Sequence, residues 1–429
     1  LVSQRTRRSI TRFFPRSELR APLAAGVVTF AAAWAFVAFL PPLHVWLRGD
    51  VAFYENWGSW LASHRVPYRD FALEYPPGAL PLFDLPPYLR KLFAQHGTYD
   101  FWFRILLLAI GVVSIVAMAF VLDRVGASRR RAYAALVLAG IAPALLGPIA
   151  LGRYDYWPAL LAVAGVAALV SGRGVLACAL FAAGAVAKVY PVLLVPLALL
   201  ELWRRGRWRA AGYGVAVSLV VVAVGFGPYV ALGPHGVGWS VHRQVARPMQ
   251  VESLGSAVLV AAHELAGVQL HVVKGYGSDN LVGHWPDLLG TVSGVVTVLA
   301  LLLVYALYAR GPASSARLLA ACAAAIVAYV AFAKVFSPQY LVWLFPLVPL
   351  VGGRAGLRAN VLLAAAIGMT QIWEPYRYYD YYTTFAPWLA WLVVARDLLV
   401  VVLLVVLVRE LWPSERHAQQ LDPAGASVV

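Results

Sequence analysis

Long apolar stretches broken by short polar ones recur along nearly the whole 429-residue chain. They fall at 21–41, 102–122, 132–151, 156–172, 174–187, 190–202, 211–232, 286–308, 316–333, 339–353, 358–374 and 385–408. A helix crossing a bilayer needs about 20 predominantly apolar residues, so each is a candidate crossing. Segments such as 211–232 are apolar on every face, which excludes an outer-membrane barrel, where lipid-facing and lumen-facing residues alternate. The pattern predicts an all-α polytopic membrane protein with about twelve transmembrane helices and both termini on one side.

Composition agrees: 61% of residues are hydrophobic and 13% charged, which excludes a single soluble core. The net charge of +15 raises the question of a nucleic-acid partner, and its location answers it. Basic residues gather in 1–20, at Arg124, Arg129 to Arg131, Arg173, Arg204, Arg205, Arg207, Arg209, Arg310, Arg317, Arg354, Arg358, Arg409 and Arg416. In a twelve-helix threading these share one face, cytoplasmic by the positive-inside rule. No nucleic acid is expected. The chain then divides into a basic cytoplasmic segment 1–20, a membrane domain 21–412 and a cytoplasmic tail 413–429, with large extracytoplasmic loops at 42–101 and 233–285. The first apolar segment is full-length and lacks an A-x-A-like site, so it reads as a signal-anchor. Cys178 and Cys322 sit inside apolar runs without metal-like spacing and are expected to pack.

Two crossings are short. Between Arg173 and Arg204 the apolar run is interrupted at Ala187-Lys188-Val189-Tyr190-Pro191, which predicts a helical hairpin with Lys188 at its tip and Pro191 opening the returning helix. A charged tip at such depth implies a wet cavity. The other outward turns also carry polar groups: Arg153 and Asp155; Arg247, Gln250 and Glu252; Lys334, Gln339 and Tyr340. Loop 42–101 adds Arg48, Asp50, Tyr54, Glu74 and Tyr75, and its Pro-rich stretch 78–93 predicts helices at the interface rather than a crossing. Basic groups on the face that the positive-inside rule depletes are explained by an anionic ligand such as a phosphate.

Each candidate also has a plainer reading. Arg153 and Asp155 can pair with each other at a helix end, and Lys334 can snorkel to the interface. Arg396-Asp397 reads as an internal ion pair or a headgroup contact, and Arg377 to Tyr382 as an interfacial aromatic belt or a carbohydrate-stacking surface. Asp50 can serve as the N-cap of a helix begun at Val51. The nine histidines form no H-x-x-x-H pattern.

The string GDVAFYENWGSWLASHRVPYRDFALEYPPGALPLF, with YDYWP, KVYPVLLVPLAL, RPMQVESLGSAVL and SPQYLVWLFPLVPL in that order, resembles the polytopic glycosyltransferases of the GT-C superfamily. The nearest likeness is to glycosyltransferase family 87, which includes actinobacterial mannosyltransferases that use polyprenyl-phosphate mannose. The resemblance runs from about Arg48 to about Pro346. It implies an outward-facing active site in a bacterial cytoplasmic membrane, a polyprenyl-phosphate sugar donor, a lipid or glycan acceptor, and a catalytic Asp in the first outward loop, the position of Asp50. The chain departs from some mannosyltransferase-like members in having Gln339 and Tyr340 after the late Ser-Pro, where those carry His.

The expected chemistry is inverting transfer, with Asp50 as general base on an acceptor hydroxyl. Lys188, Arg153, Arg247 and Lys334 would bind the donor phosphate. Tyr54, Glu74, Tyr75, Asp155, Tyr190, Gln250, Glu252, Gln339 and Tyr340 would contact sugar or acceptor. No cofactor is required by this scheme, although Asp50 with Glu74 or Asp155 can hold a divalent metal. A transporter or flippase of a lipid-linked sugar is the alternative, and it would show pseudo-symmetric halves. The unequal outward loops break such symmetry.

Overall fold

The computed structural model describes residues 16–40 and 50–412. The segment before Arg16, the stretch 41–49 with Arg48, and the tail after Trp412 lie outside the described residues. The fold is an all-α polytopic membrane protein, and every apolar stretch read from the sequence is helical over most of its length. Seven helices are long and apolar enough to cross a bilayer: Ser17–Phe39, Tyr99–Arg124, Trp208–Leu232, His284–Arg310, Ser315–Phe332, Gly353–Trp373 and Pro387–Arg409.

The remaining predicted crossings are shorter or broken, and the reason lies in their polar and proline residues. Arg129–Leu146 opens on three arginines and ends at Gly147, whose φ of 56° turns the chain into the short helix Pro148–Gly152. Tyr156–Val170 and Gly174–Ala187 have 15 and 14 residues. At 1.5 Å per residue such helices span roughly 21 to 23 Å, less than a hydrocarbon core of about 30 Å. Pro338, Pro346 and Pro349 punctuate the last of these segments, leaving only the single turn Leu341–Leu344 as α-helix between 3-10 turns.

Side chains tie helix ends together in groups. At one end Arg16 pairs with Asp123 at 2.6 Å, and Arg131 donates to the Leu350 carbonyl at 2.5 Å. There too Arg204 donates to the Tyr308 carbonyl at 2.8 Å, and Arg317 to those of Leu307 and Leu411 at 2.6 and 2.7 Å. Cations satisfying helix C-terminal carbonyls complement the helix dipole. Close packing elsewhere relies on small residues: a Cβ on Gly26 would come within 2.8 Å of Leu136 Cβ, and one on Gly140 within 2.8 Å of the Gly26 carbonyl oxygen. These glycines let Ser17–Phe39 lie directly on Arg129–Leu146.

At the opposite end lie the two large loops. The first contains the helices Val51–Ala62 and Leu80–Leu92, the latter incorporating Pro86 and Pro87. The second holds Pro234–Val245, Leu254–Ala266 and a small antiparallel sheet that the sequence reading did not anticipate. Strand β1 (Met249–Gln250) and strand β2 (His271–Gly275) flank β3 (Ser278–Val282), and β2 and β3 join through Tyr276-Gly277, both at positive φ. That is the backbone a two-residue hairpin turn needs.

Candidate active site

Asp50 opens the helix Val51–Ala62, and its carbonyl accepts from the Phe53 and Tyr54 amides at 3.0 and 3.1 Å. Its side chain makes no capping hydrogen bond, so the carboxylate is not consumed by the helix. Instead it contacts the guanidinium of Arg153, and the Tyr54 hydroxyl approaches Oδ2 at 3.5 Å. Arg153 ends the short helix Pro148–Gly152 in extended backbone, which turns its side chain toward the first loop.

Asp155, two residues on, faces a different partner. Its Oδ1 lies 2.6 Å from Lys188 Nζ and accepts the Trp343 indole N–H at 2.6 Å. The plainer reading, a local Arg153–Asp155 pair, gives way to two long-range pairs, Asp50 with Arg153 and Asp155 with Lys188. Asp155 is 1% exposed, and Lys188 lies over the faces of Tyr154, Trp343 and Tyr340 at 4.9, 5.3 and 5.7 Å. Burial pulls the Lys188 ammonium below its usual value, with Arg153 and Arg247 acting the same way and Asp155 opposing.

A glycine makes this assembly possible. A Cβ on Gly78 would fall 2.7 Å from the Ala187 amide nitrogen, so the Tyr75-Pro76-Pro77 turn can abut the backbone just before Lys188. The Trp157 indole donates to the Gly78 carbonyl at 3.0 Å, and the Tyr154 hydroxyl to that of Ala187 at 3.3 Å. Tyr54 stacks on Phe83 at 4.5 Å, and Tyr75 meets Tyr54 and Tyr154 edge-on at 5.8 and 5.1 Å. Tyr190 and Tyr340 stack on Trp343 at 4.1 and 3.8 Å, forming the opposite aromatic wall.

The second loop closes the assembly. Arg247 donates to Ser278 Oγ at 3.0 Å, and its buried Nε has no hydrogen-bond partner among the described residues. Lys334 donates to the Val245 carbonyl at 2.9 Å rather than reaching outward alone. Gln250 donates to Ser337 Oγ at 2.9 Å and to Glu252, and Gln339 is half-buried nearby. Glu74 pairs with Arg243, which lies over the rings of Trp239 and Tyr276; this latch joins the two loops.

One participant was absent from the sequence reading. Glu374, just past the helix Gly353–Trp373, is an electrostatic neighbour of Arg153, Arg396 and Glu252. Its Oε2 and the Oε1 of Glu252 are buried without hydrogen-bond partners among the described residues. Burial raises both carboxyls well above the ordinary glutamate range, opposed by the two arginines. Arg396 and Asp397 form a buried ion pair at 2.9 Å, and Arg396 donates to the Glu252 carbonyl at 2.8 Å. The expected aromatic belt is only partly a surface feature, because Tyr381 is buried and donates to the Val251 carbonyl at 2.8 Å.

Among the described residues no three His, Cys, Asp or Glu side chains are grouped as metal ligands. Asp50 and Asp155 each face a cation instead. Beside the assembly, Pro77, Gly78 and Val186 also line an apolar cleft of about 640 Å³ that runs to Leu80, Val224 and Pro228 and contains one carboxylate, Asp84.

A set of paired, partly buried charges at one end of a helical bundle fits many activities, and comparison with known families narrows the choice. The sequence profile of glycosyltransferase family 87 matches residues 73–338. The chain belongs to glycosyltransferase family 87. It is a membrane glycosyltransferase. The matched span takes in Glu74, Arg153, Asp155, Lys188, Arg247, Glu252 and Lys334; Asp50 and Glu374 lie outside it. No curated protein matches the chain.

Proposed function

We propose that this family 87 member transfers a monosaccharide from a polyprenyl-phosphate donor to a lipid or glycan acceptor on the outer face of a bacterial cytoplasmic membrane. Asp50 accepts the proton of the acceptor hydroxyl while its oxygen attacks the anomeric carbon from the side opposite the phosphate, and the anomeric configuration inverts. General-base help of this kind contributes about 10²–10⁴-fold. The observation that carries the reading is the Asp50–Arg153 contact, which sets a carboxylate free of capping duty against a cation able to hold the leaving phosphate.

Arg153 and Arg247 are the principal phosphate ligands in this reading. Arg247 keeps an Nε without a hydrogen-bond partner among the described residues, whereas Lys188 is already paired with Asp155 and contributes less to phosphate binding. The position of the apolar cleft beside Gly78 and Val186 supports a donor whose chain leaves the head-group site through the bundle wall. The basic helix ends gathered at the other end of the bundle support an outward site, since that end is cytoplasmic by the positive-inside rule. Family membership selects the transferase over the transporter alternative.

The test is donor choice. Protein in nanodiscs is given radiolabelled sugars as polyprenyl-phosphate or as nucleotide conjugates, with an alkyl glycoside acceptor. Transfer from the lipid-linked forms alone is expected; transfer from a nucleotide sugar alone contradicts the proposal.

A further inference from the structure

Arg396 lies well inside the helix Pro387–Arg409, about 14 Å along its axis from Pro387 at 1.5 Å per residue. It is fully buried, with Asp397 facing its Nε at 2.9 Å. Ionisable groups within a membrane helix are expensive and are retained where they serve a site. The ion pair occupies only part of the guanidinium. Arg396 Nη2 donates to the Glu252 carbonyl at 2.8 Å, and the group lies 4.0 Å from the centre of the Phe336 ring. Glu252 and Phe336 belong to the two outward segments that carry Arg247 and Lys334. These segments are joined to each other, since the Gln250 amide donates to the Lys334 carbonyl at 2.9 Å and the Gln250 side chain to Ser337 Oγ at 2.9 Å. Arg396 therefore touches both sides of one joint.

Tyr381 supplies a second clamp. Its ring is fully buried and its hydroxyl donates to the Val251 carbonyl at 2.8 Å. Two consecutive carbonyls, those of Val251 and Glu252, are thus met by side chains from beyond residue 338, where the family match ends. Strand β1 (Met249–Gln250) runs directly into these carbonyls, and Arg247 stands two residues before it. The pairing of Met249 with Leu281 and of Gln250 with Asn280 sets Arg247 where its guanidinium reaches Ser278 Oγ at 3.0 Å. A buried carbonyl deprived of its donor is costly, so loss of either clamp favours a displaced segment.

We propose that Arg396 and Tyr381 are positioning residues that hold the Arg247–Glu252 segment and thereby place Arg247 for the donor phosphate. The inference rests on the reading of Arg247 as a phosphate ligand, but the clamping itself can be measured without any donor. Tyr381→Phe removes one hydroxyl and keeps the ring that packs against Trp373 and Phe385. Arg396→Lys keeps a positive charge for Asp397 but loses the planar fork that serves Asp397 and the Glu252 carbonyl together.

Two readouts test this on the full-length protein in nanodiscs. The first is amide hydrogen exchange without substrate. The peptide covering 247–253, whose Gln250 and Val251 amides donate to Lys334 and Asp279, is expected to exchange about tenfold faster in Tyr381→Phe, while the helix Ser315–Phe332 exchanges as in wild type. The second is kinetics. Tyr381→Phe should raise the KM for the polyprenyl-phosphate sugar about fivefold with kcat nearly unchanged, and should add nothing to Arg247→Ala, because a residue acting through Arg247 then has nothing left to place. Arg396→Lys should show both effects. Unchanged exchange of the 247–253 peptide in Tyr381→Phe overturns the inference, as does faster exchange spread equally over the protein, or a KM effect that adds in full to that of Arg247→Ala. An unchanged KM in Arg247→Ala itself would instead overturn the phosphate reading, and with it the purpose of the clamp, while local faster exchange would still establish the clamp.

Discussion

Lys188 and Asp155 meet through one carboxylate oxygen, with Nζ at 2.6 Å from Oδ1, and the same oxygen takes the Trp343 N–H at 2.6 Å. This pair fixes the tip of the short hairpin Gly174–Ala187 and Tyr190–Leu194 against the start of Tyr156–Val170. It thereby decides where the site's buried ammonium stands. Removing one member of a buried pair leaves an unpaired charge, which costs about 3–5 kcal/mol, whereas removing both is far milder.

Asp155→Asn is therefore expected to lower the unfolding temperature in detergent more than Asp155→Asn combined with Lys188→Met. Additive losses in this double-mutant comparison would show that the two side chains do not depend on each other.

Gly78→Val is expected to abolish activity and to destabilise the protein. The added side chain meets backbone atoms of Val186 and Ala187, which cannot swing aside as a flexible side chain would. The Tyr75–Pro77 turn must then separate from the Lys188 turn. Near-wild-type transfer and thermal stability for Gly78→Val would mean that this close approach is not needed.

The pH dependence of stability follows from Glu252 and Glu374. Their carboxyls are raised in the folded protein above the unfolded glutamate value. Such groups contribute stability that is present at low pH and lost as pH rises through their folded values. Glutamine mimics the protonated form at every pH. Glu252→Gln/Glu374→Gln should therefore match wild type in thermal unfolding near pH 5 and exceed it near pH 8, on the order of the window between ordinary and raised carboxyls. The opposite ordering would mean that the pair is ionised and stabilising.

Arg247→Ala tests the assignment of Arg247 as a phosphate ligand. It should raise the apparent KM for the polyprenyl-phosphate sugar about tenfold or more, with a smaller change in kcat, as expected for loss of a charge-assisted contact made throughout the reaction. An unchanged KM would remove Arg247 from the phosphate site.

Much of the fold was legible because each crossing announces itself over many apolar residues, and proline and glycine mark the breaks, as at Gly147 and Pro338. The hairpin tip at Lys188 and the clustering of Asp50 with Arg153 were likewise visible as unusual charges at outward turns. The pairing was not. Arg153 and Asp155 are sequence neighbours of opposite charge, and only the change from extended backbone at Arg153 to helical backbone at Asp155 sends them to different partners. The sheet β1–β3 was missed because its strands are too short to show periodicity within a polar loop. Glu374 was missed because it stands at the edge of an aromatic cluster that read as an interface belt. The available signal was a lone carboxylate at the helix end nearest the outward basic groups, in a chain with few acids.

The account depends most on Asp50. The direct measurement is sugar transfer by purified Asp50→Asn alongside equilibrium binding of the same polyprenyl-phosphate sugar. The account predicts donor binding within a few-fold of wild type and a loss of transfer of about 10²-fold or more. Transfer at the wild-type rate by Asp50→Asn would contradict it.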